Sequence, residues 1–404
     1  MSRVSHPPLP PTPESVALLA QRHDRARPIF SAILRRSGLL SFEGHEAIPR
    51  EGPLLLLANH VEFPDAITMN VVANRAVVVM GTEALAQGSA GRLLLAFGLS
   101  PKKKNMPDSK AVRLLKSWVD AGAAVGVFPE GERTWDGRPL PLVPGIEKLV
   151  LLLGVPVVTM RIYNGYRQWP RWAPQPRWAH VHVVADPPVT FTKSQGAPAV
   201  AAELARRLRV DDREGPSFPV HGFNLASGLT NLLYACPSCG RIEGLQERGS
   251  QLRCQHCRER WRVTGECTLD GPGGERTLPD VVDQIRARLS QEGWHDRGLE
   301  GDALLRSGPC TLIDESQEQP VTVGTGRLVL TPQDIHLEGS VPWRVPLSDL
   351  VTANVENRRR FWLRTRDGRL YEPILPEDSV VKWEQLTMRW RQEASSTNAE
   401  ASQH

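Results

Sequence analysis

Between residues 54 and 185, short apolar runs alternate with segments of helical character, and this alternation limits the possible folds more than any other feature of the chain. The runs at 54–58 (LLLLA), 76–80 and 123–128 are uniformly apolar, and those at 155–162 and 180–184 are mostly so. A strand with one wet face alternates apolar and polar residues, whereas a strand covered on both faces does not. Helical segments at 66–73, 93–97, 109–121 and 146–153 separate the runs, and 198–208 forms a closing helix with Pro198 suited to its first position. The expected architecture is an α/β layer with a mostly parallel sheet. The most apolar stretch, 149–160, is about a dozen residues and contains Pro156, whereas a membrane-spanning helix needs roughly 20. It reads as a buried helix, turn and strand.

The flanks differ in character. Residues 1–14 are proline-rich, have no apolar signal core and read as a disordered tail. Residues 15–40 combine Val16, Leu19, Ile29, Phe30 and Ile33 with Arg22, Arg25, Arg27, Arg35 and Arg36. Pro28 is expected to break this segment into two amphipathic helices. Packing on the same domain and contact with a membrane surface both remain open for it. The net charge of +4 and the lack of a Lys/Arg tract exclude a nucleic-acid binder and leave room for an anionic lipid surface.

The second half holds a metal-site pattern. Cys236 and Cys239 form one CxxC pair and Cys254 and Cys257 another, with 240–253, 14 residues, between them. This is zinc-ribbon spacing, in which two knuckles offer four thiolates to one tetrahedral Zn²⁺. Four thiolates close the coordination sphere, so the ion is structural. Without an export signal, a metal site takes precedence over disulfides and implies a reducing cytosol. His256 falls outside a complete Cys₄ set, and Cys267 and Cys310 are isolated. The expected division is an α/β domain at 15–212, a linker at 213–233, a zinc ribbon at 234–268 and a linker with a helix at 269–303. A β-rich domain closed by a helix at 304–393 and a disordered tail at 394–404 complete it.

Two strand ends carry chemistry. The run 54–58 leads into Asn59-His60-Val61-Glu62-Phe63-Pro64-Asp65, placing an imidazole at the carboxyl edge of the sheet, where α/β folds bind ligands. Pro64 favours a helix start, so Asp65 falls in the first helical turn and the intervening turn brings its carboxylate to His60. That carboxylate would fix the imidazole tautomer and stabilise the imidazolium after proton abstraction. An HxxxxD pair alone has little specificity. A second block, Phe128-Pro-Glu130-Gly131-Glu132-Arg133-Thr134, follows another buried strand. Gly131 permits close backbone approach, and Arg133 offers a planar fork suited to phosphate.

Taken together, these blocks resemble the glycerolipid acyltransferase family, of the lysophosphatidic-acid acyltransferase type, over roughly 42–209. His60 and Asp65 match the family's NHxxxxD dyad, and FPEGERT resembles its FPEGTRS block. The resemblance implies that Glu130, Gly131 and Arg133 bind the acceptor. It also implies direct transfer from acyl-CoA or acyl-carrier protein to the hydroxyl of a lysophospholipid, with 1-acyl-glycerol-3-phosphate as the implied acceptor. His60 acts as general base, and backbone N–H groups near Gly131 hold the oxyanion. No GxSxG elbow points to an acyl-enzyme. The implied setting is phospholipid synthesis on the cytoplasmic face of a membrane.

Three departures from the family pattern bear on the acceptor. Glu132 replaces a small hydroxyl residue. Lys102, Lys103 and Lys104 stand where the family's second block ends in Asp-Arg, either to meet a substrate phosphate or as a solvated loop. Thr159-Met160 lacks the fourth block's final proline. The alternatives are another lysolipid or aminolipid acceptor, and a non-catalytic lipid-binding scaffold. Residues 304–393 resemble a pleckstrin-homology or GRAM-like domain, in which Arg358, Arg359, Arg360, Arg364 and Arg366 form a basic face for anionic lipid or a surface for a protein partner.

Overall fold

A computed structural model of the chain describes residues 9–62, 64–86, 88–102, 108–212, 216, 218–289, 299, 302–317, 319–356 and 358–401. They form two compact units, Met1–Arg171 with Gln175–Gly222, and Trp172–Pro174 with Phe223–His404.

In the first unit the elements are α1 (Pro13–Arg36), β1 (Leu40–Glu43), β2 (Leu54–Ala58), α2 (Asp65–Ala73), β3 (Val77–Thr82), α3 (Gly88–Ala96), β4 (Leu99–Lys102), α4 (Asp108–Asp120) and β5 (Ala124–Val127). They continue with α5 (Ile146–Leu153), β6 (Val157–Tyr163), α6 (Gly165–Gln168), β7 (Trp178–Ala179), β8 (Val181–Ala185), α7 (Ala197–Leu208) and β9 (Val220–His221). Among the described residues, β1, β8, β6, β2, β5, β3 and β4 lie in that order in one seven-stranded sheet. All its pairs are parallel except β6 with β8, where the chain doubles back.

β2 is central and buried on both faces, which accounts for its unbroken leucines. Leu55 and Leu57 join Trp118, Val150 and Leu204 in a core with α4, α5 and α7. On the opposite face Gly126 admits Met69 of α2, since a Cβ there would lie 2.5 Å from its sulfur. The parallel register of β2 on β5, Leu57 opposite Val127, sets the two motif-bearing loops side by side at one edge.

Several expectations change. α1 runs through Pro28 as one helix. Proline removes one backbone hydrogen bond, but His23 Nε2 lies 3.1 Å from Asn70 O, and Arg27 Nε donates to Val71 O at 3.0 Å, so α2 holds the segment. β1 and β4 are edge strands that the sequence reading missed. Lys102 ends β4 opposite Thr82, while Lys103 and Lys104 lie outside the described residues.

The second unit contains β10 (Leu245–Arg248), β11 (Gln251–Cys254), β12 (Arg260–Val263), β13 (Thr268–Gly271), β14 (Gly274–Thr277) and α8 (Leu278–Leu289). These are followed by β15 (Leu305–Asp314), β16 (Val321–Leu330), β17 (Asp334–Gly339), β18 (Trp343–Pro346), β19 (Leu350–Glu356), β20 (Arg360–Thr365), β21 (Leu370–Ile374) and α9 (Val380–Ala401). Strands β10 to β14 make an antiparallel sheet, so the start of the expected linker at 269–303 is instead a β-hairpin. The β-rich region is a single antiparallel sheet among the described residues, ordered β18, β17, β16, β15, β21, β20, β19. α9 packs on β19, with Glu384 accepting from Val355 N at 2.9 Å and Trp383 fully buried, and it continues to Ala401, so 394–401 is helical where a disordered tail was expected.

Candidate active site

Asn59, just past β2, continues that strand's pairing with its side chain. Its amide donates to Ile162 O at 3.0 Å, and its carbonyl accepts from Ile162 N at 2.8 Å. The next residues are thereby fixed as they leave the sheet edge. Pro64 sits at the N-cap of α2, and Asp65 opens the helix. One oxygen of Asp65, Oδ2, accepts three hydrogen bonds: His60 Nδ1–H at 2.8 Å, Val61 N at 2.8 Å and Glu62 N at 3.0 Å. Asp65 is 0% exposed, so this carboxylate acts within the protein and not in solvent. Because it only accepts, Nδ1 carries the proton and Nε2 is left as the basic nitrogen. The His60 side chain is 24% exposed, within reach of a substrate.

The β5 loop completes the setting. Phe128 stacks on the imidazole with ring centroids 4.3 Å apart and an interplanar angle of 18°. Glu130 is buried, and its carboxylate accepts the backbone N–H of Leu140 at 3.3 Å, while the nearby His60 backbone N–H also favours its charge. It therefore couples the β5 loop electrostatically to the strand end that carries His60. Burial pushes its carboxyl up to about 7 against the opposing pull of the two N–H groups.

Gly131 has φ of 77°, in the left-handed region, and its N–H donates to Phe128 O at 3.1 Å. The turn consumes this N–H, so an oxyanion donor has to be sought elsewhere in the loop. Arg133 is half-buried and its charge reaches Glu62. Glu132 has a structural reason for replacing a small hydroxyl residue. Arg171, itself buried against the Trp135 ring at 4.2 Å, donates to Glu132 Oε2 at 2.6 Å and to Arg133 O at 2.7 Å, pinning the loop.

Glu62 is the residue that the sequence reading passed over. It is 1% exposed, and its Oε2 has no hydrogen-bond partner among the described residues. Burial, and next the Asp65 charge, push its carboxyl well above the usual carboxylate range, while Arg133 pulls it back. The available signal was a carboxylate placed inside the loop between His60 and Asp65.

In the second unit the four CxxC sulfurs converge within 4.8 Å of one another. Cys236 and Cys257 sulfurs are 3.6 Å apart and Cys239 and Cys254 sulfurs 3.8 Å apart, matching the about 3.8 Å edge of a tetrahedron with metal–sulfur bonds of roughly 2.3 Å. Each knuckle aims a backbone N–H at its first sulfur, from Cys239 and from His256, both at 3.4 Å. His256 packs against Gly244 and stays outside the cluster.

Residues 39–163, which hold the strand-end His–Asp pair and the strand-end FPEGER turn in a mostly parallel sheet, match the family model described as Acyltransferase. The chain is 28% identical over 123 residues to the chloroplastic 1-acyl-sn-glycerol-3-phosphate acyltransferase BAT2 of Brassica napus, covering 30% of this chain and 36% of that protein. The match thus spans about a third of that relative's length. Among solved structures, the 1-acyl-sn-glycerophosphate acyltransferase PlsC of Thermotoga maritima is 20% identical, covers 45% of this chain and 80% of its own, and has a TM-score of 0.34. The N-terminal PH domain of human ARAP2 is 14% identical, covers 24% of this chain and 86% of its own, and has a TM-score of 0.20.

Proposed function

We propose that the first unit is a lipid O-acyltransferase in which His60 is the general base. The observation that carries this is the single Asp65 oxygen holding His60 Nδ1–H and two loop N–H groups, which leaves Nε2 at a reachable sheet edge. His60 Nε2 takes the acceptor hydroxyl proton as that oxygen attacks the thioester carbonyl of acyl-CoA or acyl-carrier protein. The tetrahedral intermediate collapses with loss of the thiolate, and the imidazolium returns the proton to it, restoring neutral His60. Asp65 stabilises the imidazolium throughout. Beside Asp65, Ala66, Ile67 and Val71 line an apolar cavity with Phe30, Leu94 and Phe97, which suits an acyl chain.

The acceptor is a lysophospholipid, with 1-acyl-glycerol-3-phosphate first in line because Arg133 occupies the family's phosphate-binding position. Glu62 favours a second reading: a buried carboxyl beside Arg133, held above its usual range, ionises more readily next to a cationic group and so suits an aminolipid or zwitterionic lysolipid. Peripheral attachment to the cytoplasmic face is supported by α1. There Ile29 at 62% and Ile33 at 59% exposure share one helical face with Arg22, Arg25 and Arg36. No helix among the described residues is long and apolar enough to cross a membrane. The cysteine cluster suits structural Zn²⁺, and the β-rich region suits a PH-like module that docks lipid or a protein partner.

The test is transfer from acyl-CoA and acyl-carrier protein to a panel of lysolipids, by wild type and by Glu62→Gln. Transfer to 1-acyl-glycerol-3-phosphate is expected, with Glu62→Gln changing it little, because a protonated Glu62 carries no charge to repel the phosphate. Preference for a cationic lysolipid that Glu62→Gln abolishes supports the second reading. No transfer to any acceptor returns the chain to the scaffold reading.

A further inference from the structure

The arginine run 358–360, at the connection between β19 and β20, is not a uniform basic face. Arg360 is neutralised: its Nε and Nη2 donate to the two oxygens of buried Glu372 at 2.5 Å, and Glu315 and Glu356 lie at 3.6 and 3.9 Å. Arg366 Nε is taken by Ser348 O at 2.8 Å. Arg358 and Arg359 differ. Arg358 is half-buried and donates to Ala173 O, a carbonyl that offers no counter-charge. Burial, and next the neighbouring Arg359 charge, hold the Arg358 guanidinium below its usual range. Arg359 is exposed, and no ion pair or hydrogen bond of its guanidinium is found among the described residues. A partly buried cation without a carboxylate therefore sits beside a solvent-facing one, and an anion that bridges the two would compensate both.

Both line a cavity of about 540 Å³, within the size range of small-ligand sites. Its other walls include fully buried Trp172 and the neutral hydrogen-bonding residues Ser227 and Asn231. One carboxylate, Glu247, also lines it. Glu247 is saturated by Gly228 N at 2.8 Å, Thr230 N at 2.7 Å and Thr230 Oγ1 at 2.7 Å, so it is not the counter-ion of the arginine pair. The cavity belongs to the second unit, on residues separate from the His60 site. Guanidinium forks match phosphate oxygens two at a time, and a half-open pocket of this size has room for a phosphate group and the moiety that carries it.

We propose that this cavity is a binding site for a phosphate monoester or diester, gripped by Arg358 and Arg359. The phosphate source is either a soluble metabolite or a phospholipid headgroup. The experiment compares full-length wild type with the double variant Arg358→Gln/Arg359→Gln in two arms: calorimetric titration with sn-glycerol 3-phosphate, and flotation with phosphatidylcholine vesicles with and without phosphatidic acid. A second double variant, Arg327→Gln/Arg344→Gln, removes the same charge from exposed positions on other strands. Matching circular dichroism and melting show that each variant folds. The cavity variant is expected to lose at least about tenfold in affinity in one arm or both, which identifies the source, while the control variant changes little. Equal affinities for wild type and cavity variant in both arms, no wild-type binding in either arm, or an equal loss in the control variant would each overturn the proposal.

Discussion

The carboxyl of Glu130 makes the stability of the first unit depend on pH in a calculable way. Its group is raised from 4.5 to about 7 by burial in the folded protein. A carboxyl with a raised folded-state pKa destabilises the fold once the unfolded chain ionises it, so its contribution is fully present below pH 4.5 and is lost as pH rises through 7. Taken over the whole window the loss is about 3 kcal/mol, and between pH 5 and pH 8 about 2.5 kcal/mol, at roughly 1.4 kcal/mol per unit. Glu130→Gln keeps the size of the side chain and its carbonyl acceptor, and it does not titrate. Urea unfolding of wild type and variant at both pH values, followed by tryptophan fluorescence, gives the stability difference at each. The advantage of wild type over the variant should shrink by about 2.5 kcal/mol at pH 8. Glu62 shifts in the same direction in both proteins and cancels from the comparison. A difference that stays constant within about 0.5 kcal/mol would refute the burial argument.

The remaining predictions concern charge and metal. Asp65→Asn leaves a carbonyl to accept the loop N–H groups but removes the charge that stabilises the imidazolium. An opposite charge at about 4 Å with an effective dielectric near 20 is worth about 4 kcal/mol, so kcat should fall about 10³-fold with the melting temperature nearly unchanged. Steady-state kinetics within tenfold of wild type would contradict this. The protein should carry about one zinc per chain, released to a chromogenic chelator on thiol modification, and Cys236→Ser should lower the melting temperature of the second unit. A metal-free protein with unchanged melting would remove the zinc from the account.

Features that depend on local pattern were readable in the sequence, and those that depend on burial were not. The leucine run of β2, the HxxxxD and FPEGER spacing and the two CxxC pairs each carry their meaning in neighbouring residues. The ten-residue strand β15 was hidden because Gly308-Pro309 marks a register shift in its pairing with β16, which a linear reading takes for a break. The β13–β14 hairpin was hidden for a related reason. Its turn is Gly271-Pro272-Gly273-Gly274, with φ of 87° and 93° at the last two, and a linker has the same composition. Pro28 misled in the opposite sense, since contacts with α2 outweigh one lost backbone bond. Glu62, Glu130 and Arg171 owe their roles to enclosure by residues distant in the chain, which no local spacing records. The arginine run 358–360 divides in the same way, because only Glu372, Glu315 and Glu356 reveal that Arg360 is neutralised.

The central claim is that His60 abstracts the acceptor proton. The most direct measurement is acyl transfer by His60→Ala in the full-length protein, with the acceptor that wild type uses best. Loss of a positioned general base costs about 10² to 10⁴ in rate, so turnover should fall into that range or below while circular dichroism and melting match wild type. Turnover close to wild type in a folded His60→Ala protein would contradict the mechanism.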